Sequence, residues 1–227
     1  MIFAIVVGEG PTEEAFIRDV LAPSFAMDTI YLEPRLIRTS AGGRGGALNV
    51  QRVLSYLRNT LRQRGDTYVT TFFDLYGLDH DFPGFAEGRT LPDPLARARL
   101  IEQHFKEAVV REAGVQADRF FAHIQPYEFE ALLFSDVTTL VTIEPDWRPF
   151  ASQLNEARVP APSPEHINDG SETHPSARLE SILRGPGYDK VRHGPIAAQH
   201  IGLPRIQQEC QHFATWLERL RSLRPLV

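Results

Sequence analysis

Acidic side chains follow three apolar segments of the chain, at points where a strand would end. Glu9 and Glu13 come after the first segment, Asp74 ends the second, and Glu128 and Glu130 follow the third. Carboxylates that lie close together repel one another unless a cation neutralises them. Hard oxygen ligands suit Mg²⁺ or Mn²⁺. The sequence therefore predicts a divalent metal site, provided that the fold gathers these residues.

Glu9 stands between two glycines, directly after the apolar run at residues 2–7. In parallel α/β sheets this is the edge where ligands bind, and Gly8 and Gly10 let the backbone turn sharply. The alternative is a strand-to-helix turn in which Glu13 and Glu14 only complement the helix dipole, but it leaves Glu9 unexplained. A dinucleotide-binding loop is a third reading, although the last glycine of G-x-G-x-x-G is absent.

The two later acidic segments also have structural readings. Asp74 could cap the next segment, with Asp79 and Asp81 serving as turn residues. Glu128 and Glu130 could begin a helix, both in its first turn and facing water. Against this, a charge in such an apolar, aromatic run is costly unless it is paired or bound to a metal. The residues alone leave both readings open.

The apolar patterns predict strands that alternate with helices. Helical spacing predicts a helix that starts at Thr12 and ends at Pro23, and it indicates two later helices over residues 47–64 and 95–113. β-prone runs predict four strands over residues 2–7, 30–38, 68–74 and 119–124. This order predicts an α/β fold with a mainly parallel, Rossmann-like sheet flanked by helices.

The chain is predicted to have two parts. Residues 1–135 form the α/β core, and residues 136–227 form a mostly helical extension packed on it, with helices near 176–183, 197–201 and 205–223. The 227 residues are 42% hydrophobic, enough for one substantial core. No apolar run approaches the roughly 20 residues of a membrane span. Cys210 is the single cysteine, so no internal disulfide can form. A cytoplasmic location is expected.

Basic residues are concentrated in one segment although the net charge is -5. Residues 35–64 contain seven arginines and no acidic residue. Such a segment could hold a polyanion on one face. The residues predicted to bind nucleic acid are Arg44, Arg52, Arg58 and Arg62. His193 could contact a phosphate or be an ordinary loop histidine.

Several phrases resemble a known family. The phrase Val7-Gly-Glu-Gly-Pro-Thr-Glu-Glu14, followed by a strand that ends in aspartate, resembles the Toprim domain of topoisomerases, primases and OLD-type nucleases. The whole chain resembles an uncharacterised bacterial family with a Toprim-like core. That likeness rests also on Phe73-Asp-Leu-Tyr-Gly-Leu78, Asp81-Phe-Pro-Gly84, Tyr127-Glu-Phe-Glu-Ala-Leu-Leu-Phe134, His174-Pro-Ser-Ala-Arg178 and His193-Gly-Pro195.

The resemblance implies roles for particular residues. Glu9 would act in acid–base chemistry or metal binding, and Glu13 corresponds to the second glutamate of OLD-type nucleases. The Toprim pattern then places Asp-x-Asp at a later strand end. Here Asp74 is followed by Leu75 and Tyr76, and an Asp-x-Asp occurs only in the loop, ending at Asp81. The expected metal ligands are Glu9, Glu13, Asp74, Asp81 and Glu130, with Glu9 and Asp74 catalytic.

The expected activity is Mg²⁺- or Mn²⁺-dependent cleavage of phosphodiester bonds in DNA or RNA by a Toprim-type nuclease. A rival reading is a non-catalytic or degenerate Toprim subunit that works beside an ABC-type ATPase, for example in phage defence. A third is an enzyme acting on a small phosphate compound, which predicts no basic surface stripe. A homodimer is left open.

Overall fold

A parallel sheet forms the centre of the protein. The computed structural model describes residues 1–37, 48–168, 170 and 173–226. Within these residues the sheet has five strands in the order β2-β1-β3-β4, with β5 also paired to β3. The strands are β1 Ile2–Gly8, β2 Ile30–Leu36, β3 Thr67–Asp74, β4 Phe120–Phe121 and β5 Ile124–Gln125. The predicted α/β, Rossmann-like fold with a parallel sheet is confirmed.

Helices cover both faces of this sheet. The α-helices are α1 Pro11–Phe16, α2 Ala22–Ala26, α3 Val50–Gln63, α4 Phe85–Gly88, α5 Pro94–Ala113, α6 Val137–Leu140, α7 Ala151–Arg158, α8 Pro175–Ile182, α9 Lys190–Ile201, α10 Leu203–Glu209 and α11 Gln211–Arg221. Four 3₁₀ segments connect them in the described ranges, at Leu75–Gly77, Phe129–Ser135, Pro145–Phe150 and Pro164–His166. None of the helices in the described residues combines the length and apolar character needed to cross a bilayer.

The alternation of side chains along β1 explains the two layers. Ile5 and Val7 lie in a cluster with α3 and α5, whereas Ala4 and Val6 lie in a cluster with the helices that follow residue 136. Successive residues of a strand point to opposite faces, so a strand covered on both faces must be apolar throughout. The C-terminal helices therefore share one hydrophobic cluster with the sheet, and the boundary predicted at residue 135 stays a prediction.

The predicted end of the first helix is wrong. Pro23 lies inside a helical segment, because a π-helical turn over Ile17–Leu21 joins α1 to α2. The Ala22 N–H bonds to the Ile17 carbonyl, five residues back. This wider turn changes the hydrogen-bonding pattern just before Pro23, which has no N–H of its own to contribute.

The predicted fourth strand is divided into β4 and β5. Between them, the Thr71 hydroxyl donates to the His123 carbonyl at 3.1 Å and accepts from the His123 N–H at 3.1 Å. A side chain of β3 thus supplements the backbone ladder at this point, where the Phe73 N–H also donates to the His123 carbonyl at 3.2 Å. The result matters for the site, because β5 ends with Gln125 opposite Asp74.

Gly194 allows α9 to pack closely on α1 and on the 3₁₀ segment Phe129–Ser135. A Cβ at this position would lie 2.9 Å from Cε1 of the fully buried Phe129 and 3.3 Å from Cγ2 of Thr12. We expect Gly194→Ala to lower the free energy of unfolding by about 1–3 kcal/mol, measured by urea denaturation. Gly185→Ala is the matched control, since no atom lies within 4 Å of its added Cβ. Equal stability of the two variants would contradict this close packing.

Candidate metal centre

Carboxylates from three segments meet at the carboxyl edge of the sheet. Glu9 directly follows β1 and Asp74 ends β3, which is the strand next to β1. The Glu9 Oε1 accepts the Asp74 N–H at 2.7 Å. In turn, the Asp74 Oδ1 accepts the Phe129 N–H at 2.9 Å. These two bonds hold the three segments together, and the predicted convergence of Glu9 and Asp74 is confirmed.

Glycines leave room for these carboxylates. Cβ atoms built at Gly8 and Gly10 would lie 3.0 Å from the Glu13 Cβ and 3.1 Å from the Glu13 Oε2, respectively. A Cβ at Gly77 would overlap the Glu9 carboxylate. The glycines around Glu9 and after Asp74 therefore have a steric purpose, in addition to allowing the chain to turn.

Glu130 is the most deeply buried acidic residue of the cluster. It lies in the 3₁₀ segment Phe129–Ser135, only 1% exposed, and neither carboxylate oxygen has a hydrogen-bond partner. Of the two readings that the sequence left open, the one in which Glu128 and Glu130 face water is excluded, although both residues do lie at the start of this 3₁₀ segment. A buried carboxylate without a partner is costly in free energy unless a proton or a cation compensates it. Of the cluster's residues, Glu130 therefore depends most clearly on a compensating proton or cation.

The pKa values of the carboxylates reflect their crowding. Burial, followed by the charge of Glu13, raises the pKa of Glu9 to about 8. Burial raises the pKa of Glu130 to about 7 and also raises that of Glu13. The pKa of Asp74 lies well above its ordinary value, because of burial first and then the charges of Glu13, Glu9, Glu130 and Glu128. Each of these four carboxyl groups therefore holds a proton more readily than it would in water.

Lys190 is the cation that faces this cluster. Burial lowers its pKa, but the charges of Glu130, Asp74, Glu13 and Glu128 outweigh burial and raise the pKa overall. Lys190 is the first residue of α9. One ammonium group cannot neutralise five carboxylates, so the cluster must either keep protons, as the raised pKa values of Glu9 and Glu130 indicate, or bind a further cation.

The N-terminal end of α8 holds Glu128. The Ser176 N–H donates to Glu128 Oε2 at 3.0 Å, and the Ser176 hydroxyl donates to Oε1 at 3.1 Å. The His174 Nδ1 lies 3.0 Å from Oε2. Helix N-termini favour negative charge. Lys190, His174 and Ser176 are site residues that were not predicted from the sequence, although the phrase His174-Pro-Ser-Ala-Arg178 was a signal for the last two.

Asp81 lies apart from the cluster. Its side chain is 70% exposed, and its carboxylate is 3.4 Å from the His80 Nε2. Asp79 contacts the same imidazole at Nδ1, 2.6 Å away. The charge of Asp81 is not among the causes that raise the pKa of Glu9 or Asp74. Asp81 therefore does not lie at the position predicted for a metal ligand. The Asp-x-Asp motif comes after a 3₁₀ turn and lies in an exposed loop.

The arginine segment is only partly available to a ligand. Arg58 pairs with Glu112 at 2.8 Å, and the Arg62 Nε donates at 3.0 Å to a backbone carbonyl at the C-terminal end of α5. Both side chains thus tie α3 to α5. Arg52 is an exposed residue of α3, and Arg44 lies outside the described residues. The segment itself contains no acidic residue, and the partners of Arg58 and Arg62 lie in α5, far away in the sequence.

His193 is neither a loop residue nor a surface group. It lies within α9, is 6% exposed, and packs edge-on against Trp147 with 4.9 Å between ring centroids. Its Nδ1 accepts the Asp189 N–H at 2.9 Å. This histidine stabilises the start of α9, directly beside Lys190, so its observed contacts are structural.

The fold and this edge define an α/β protein with a cluster of buried carboxylates at the carboxyl ends of neighbouring parallel strands. The chain belongs to the DUF4276 family, described as a domain of unknown function, whose match runs over residues 8–221. This confirms the predicted membership of an uncharacterised family. No curated protein and no solved structure matches the chain significantly.

Without metal, the cluster should make stability depend on pH. Glu130 has a higher pKa in the folded chain than the ordinary 4.5. Its stabilising contribution is therefore complete below pH 4.5 and lost as the pH rises to about 7. The free energy of unfolding of the parent protein should therefore fall as the pH rises over this range. We expect this fall to be smaller in Glu130→Gln by roughly 3 kcal/mol, since one pKa unit is about 1.4 kcal/mol.

The measurement is urea denaturation in EDTA between pH 4.5 and 8.5. Glu156→Gln, a substitution on the exposed surface of α7, is the control and should follow the parent protein. A Glu130→Gln profile that also follows the parent would mean that this carboxylate is not a source of the pH dependence.

Proposed function

We propose that this protein is a divalent-metal-dependent phosphodiesterase that cleaves nucleic acid, with a Toprim-like active site. The observation that supports this most is the burial of several carboxylates around one lysine at a strand edge, with both Glu130 oxygens unpartnered. The single ammonium group of Lys190 cannot balance these carboxylates once they lose their protons, whereas a divalent cation would add the charge that is needed.

The residues present fit a hard cation. The proposed ligands are Glu9, Glu13, Asp74 and Glu130, which offer oxygen atoms only, and oxygen-only sites favour Mg²⁺ or Mn²⁺. When bound, such an ion would polarise a phosphoryl oxygen and lower the pKa of a coordinated water. Asp81, the fifth ligand expected from the sequence, is left out of this set because of its exposed position.

The other residues of the cluster would position the ligands and the substrate. Glu128, fixed by the N-terminus of α8, stands at the border of the cluster and orients the segment that carries Glu130. Lys190 would contact a non-bridging phosphate oxygen and stabilise the charge that develops there. Lys190 would thus have the phosphate-binding role that was predicted from the sequence for Arg58 and Arg62. Arg44 and Arg52 remain candidates for contacts to more distant phosphates.

A degenerate subunit beside an ABC-type ATPase is the second candidate function. The exposed position of Asp81 favours it, because the Toprim pattern then lacks one of its aspartates at the cluster. The burial of Glu130 favours the enzyme, because this glutamate can supply the missing carboxylate. The two candidates differ in whether the isolated chain cleaves a substrate.

Asp74→Asn should abolish cleavage. The asparagine Oδ1 can still accept the Phe129 N–H, so the fold is kept while one metal ligand is lost. We expect a rate loss of at least about 100-fold, above the 10–100-fold typical for loss of an outer-shell partner. The assay uses single- and double-stranded DNA and tRNA with Mg²⁺ or Mn²⁺.

Asp81→Asn is the matched control for this assay and should retain activity. Absence of metal-dependent cleavage by the parent chain on all three substrates would reject the enzyme and favour the partner subunit. Equal activity of Asp74→Asn and the parent would also reject the proposed site.

Gly77→Ala tests the same site without removing a ligand. The added methyl would overlap the Glu9 carboxylate and displace it. We expect the variant to lose most of the Mg²⁺-dependent increase in unfolding free energy, which for a single site is about 2.7 kcal/mol at 100 times Kd. Gly65→Ala, with no atom within 4 Å of its Cβ, should keep it. Equal Mg²⁺ stabilisation of both variants would show that the ion binds elsewhere.

A further inference from the structure

A second cluster of ligand-type side chains shares no residue with the carboxylate edge. Glu102 of α5, His123 between β4 and β5, and His212 of α11 bring one ligand atom each within 4.8 Å of one another. The two histidines are 1% and 6% exposed. All three residues line a cavity of about 350 Å³ that opens to solvent.

Packing fixes the orientation of both imidazoles. The rings of His123 and His212 stack at 5.1 Å between centroids, and His123 also stacks on Trp216 at 4.7 Å. The Glu102 Oε1 accepts the Ile124 N–H at 2.7 Å and contacts the His212 Nε2 at 2.8 Å. The same oxygen lies 3.7 Å from the His123 Nδ1. The ligand atoms are therefore held in place by backbone and aromatic contacts.

The contacts of His123 determine which nitrogen carries its proton. The His123 Nε2 lies 3.3 Å from the Gln125 Oε1. The amide nitrogen of Gln125 is directed towards Glu165, without reaching hydrogen-bond geometry, and this leaves its oxygen for His123. The imidazole proton is then on Nε2, and the Nδ1 lone pair faces Glu102. Metal-binding histidines almost always have such an outer partner on the second nitrogen.

One proton cannot satisfy both the contact between the His212 Nε2 and Glu102 and the contact between the His123 Nδ1 and Glu102. His212 can supply a hydrogen between its Nε2 and Glu102, but the His123 Nδ1 lone pair still faces the same carboxylate oxygen. A metal ion would accept electron pairs from all three residues at once.

We propose that Glu102, His123 and His212 bind a transition-metal ion of the Zn²⁺ type. Two imidazole nitrogens and one carboxylate form the ligand set of zinc sites that keep a fourth position open. The three residues line the cavity, so a fourth ligand would reach the ion from there; the cavity wall also includes Arg99, Lys106 and Arg219. These cations favour an anionic fourth ligand. The inference does not depend on the proposed nuclease function.

Co²⁺ titration of the EDTA-treated full-length protein tests this site. We expect one equivalent of Co²⁺ to produce visible absorption bands of a nitrogen-ligated, four- or five-coordinate ion, and Zn²⁺ to displace it. His123→Gln and Glu102→Gln should each weaken binding about 100-fold. Asp74→Asn should leave it unchanged, which separates this site from the carboxylate edge.

His80→Gln is the matched control, because Asp79, His80 and Asp81 form an exposed group that could also bind a metal. It should retain the Co²⁺ bands. Loss of the bands in His80→Gln, or their absence from the parent protein, would overturn the proposal. Anomalous diffraction at the zinc edge from parent crystals soaked in Zn²⁺ gives the position directly, without relying on a variant that must fold. Density outside the cavity alone would reject the site.

Discussion

Burial of several carboxyl groups side by side at the carboxyl edge of the sheet is the constraint on which the proposed activity depends. Glu9 and Asp74 are linked through a backbone N–H, and Glu130 is buried without a partner. Removing such charges from water costs several kcal/mol per ion unless they are paired, protonated or bound to a cation. Apolar side chains at these positions would avoid that cost. The cation of the proposed function would offset the cost and gives the carboxylates a role.

The C-terminal helices complete this edge. Lys190 begins α9, and the N-terminus of α8 fixes Glu128 through Ser176. Gly194 lets α9 approach α1 closely enough to bring Lys190 towards the cluster, and His193 stabilises the start of the same helix. The segment after residue 136 therefore supplies part of the site in addition to covering one face of the sheet. This gives a physical reason why the family match extends over nearly the whole chain.

The sequence predicted those parts of the fold that depend on local patterns. The apolar runs of β1 and β3 gave the parallel sheet, and parallel strands end at one edge, so Glu9 and Asp74 could be placed together. Contacts between distant segments were not predictable in this way. Arg58 pairs with Glu112, which lies 54 residues further along the sequence. Lys190 faces the cluster from α9, a helix whose position relative to the sheet does not follow from the strand pattern. Asp81 was expected at the site because it begins the phrase Asp81-Phe-Pro-Gly84. It lies in an exposed loop and not at the end of a strand.

The two candidate centres differ in a way that follows from their donor atoms. The edge cluster offers only carboxylate oxygens and faces one lysine, which suits a hard ion that keeps part of its water shell. The second cluster offers two nitrogens and one oxygen, held by aromatic stacking, which suits a borderline ion with few ligands. Because ligand type and geometry contribute to selectivity beside raw affinity, the two imidazoles would disfavour Mg²⁺ at the second cluster. A chain with both would be able to bind a phosphate-activating ion at the sheet edge while a second ion occupies the cavity.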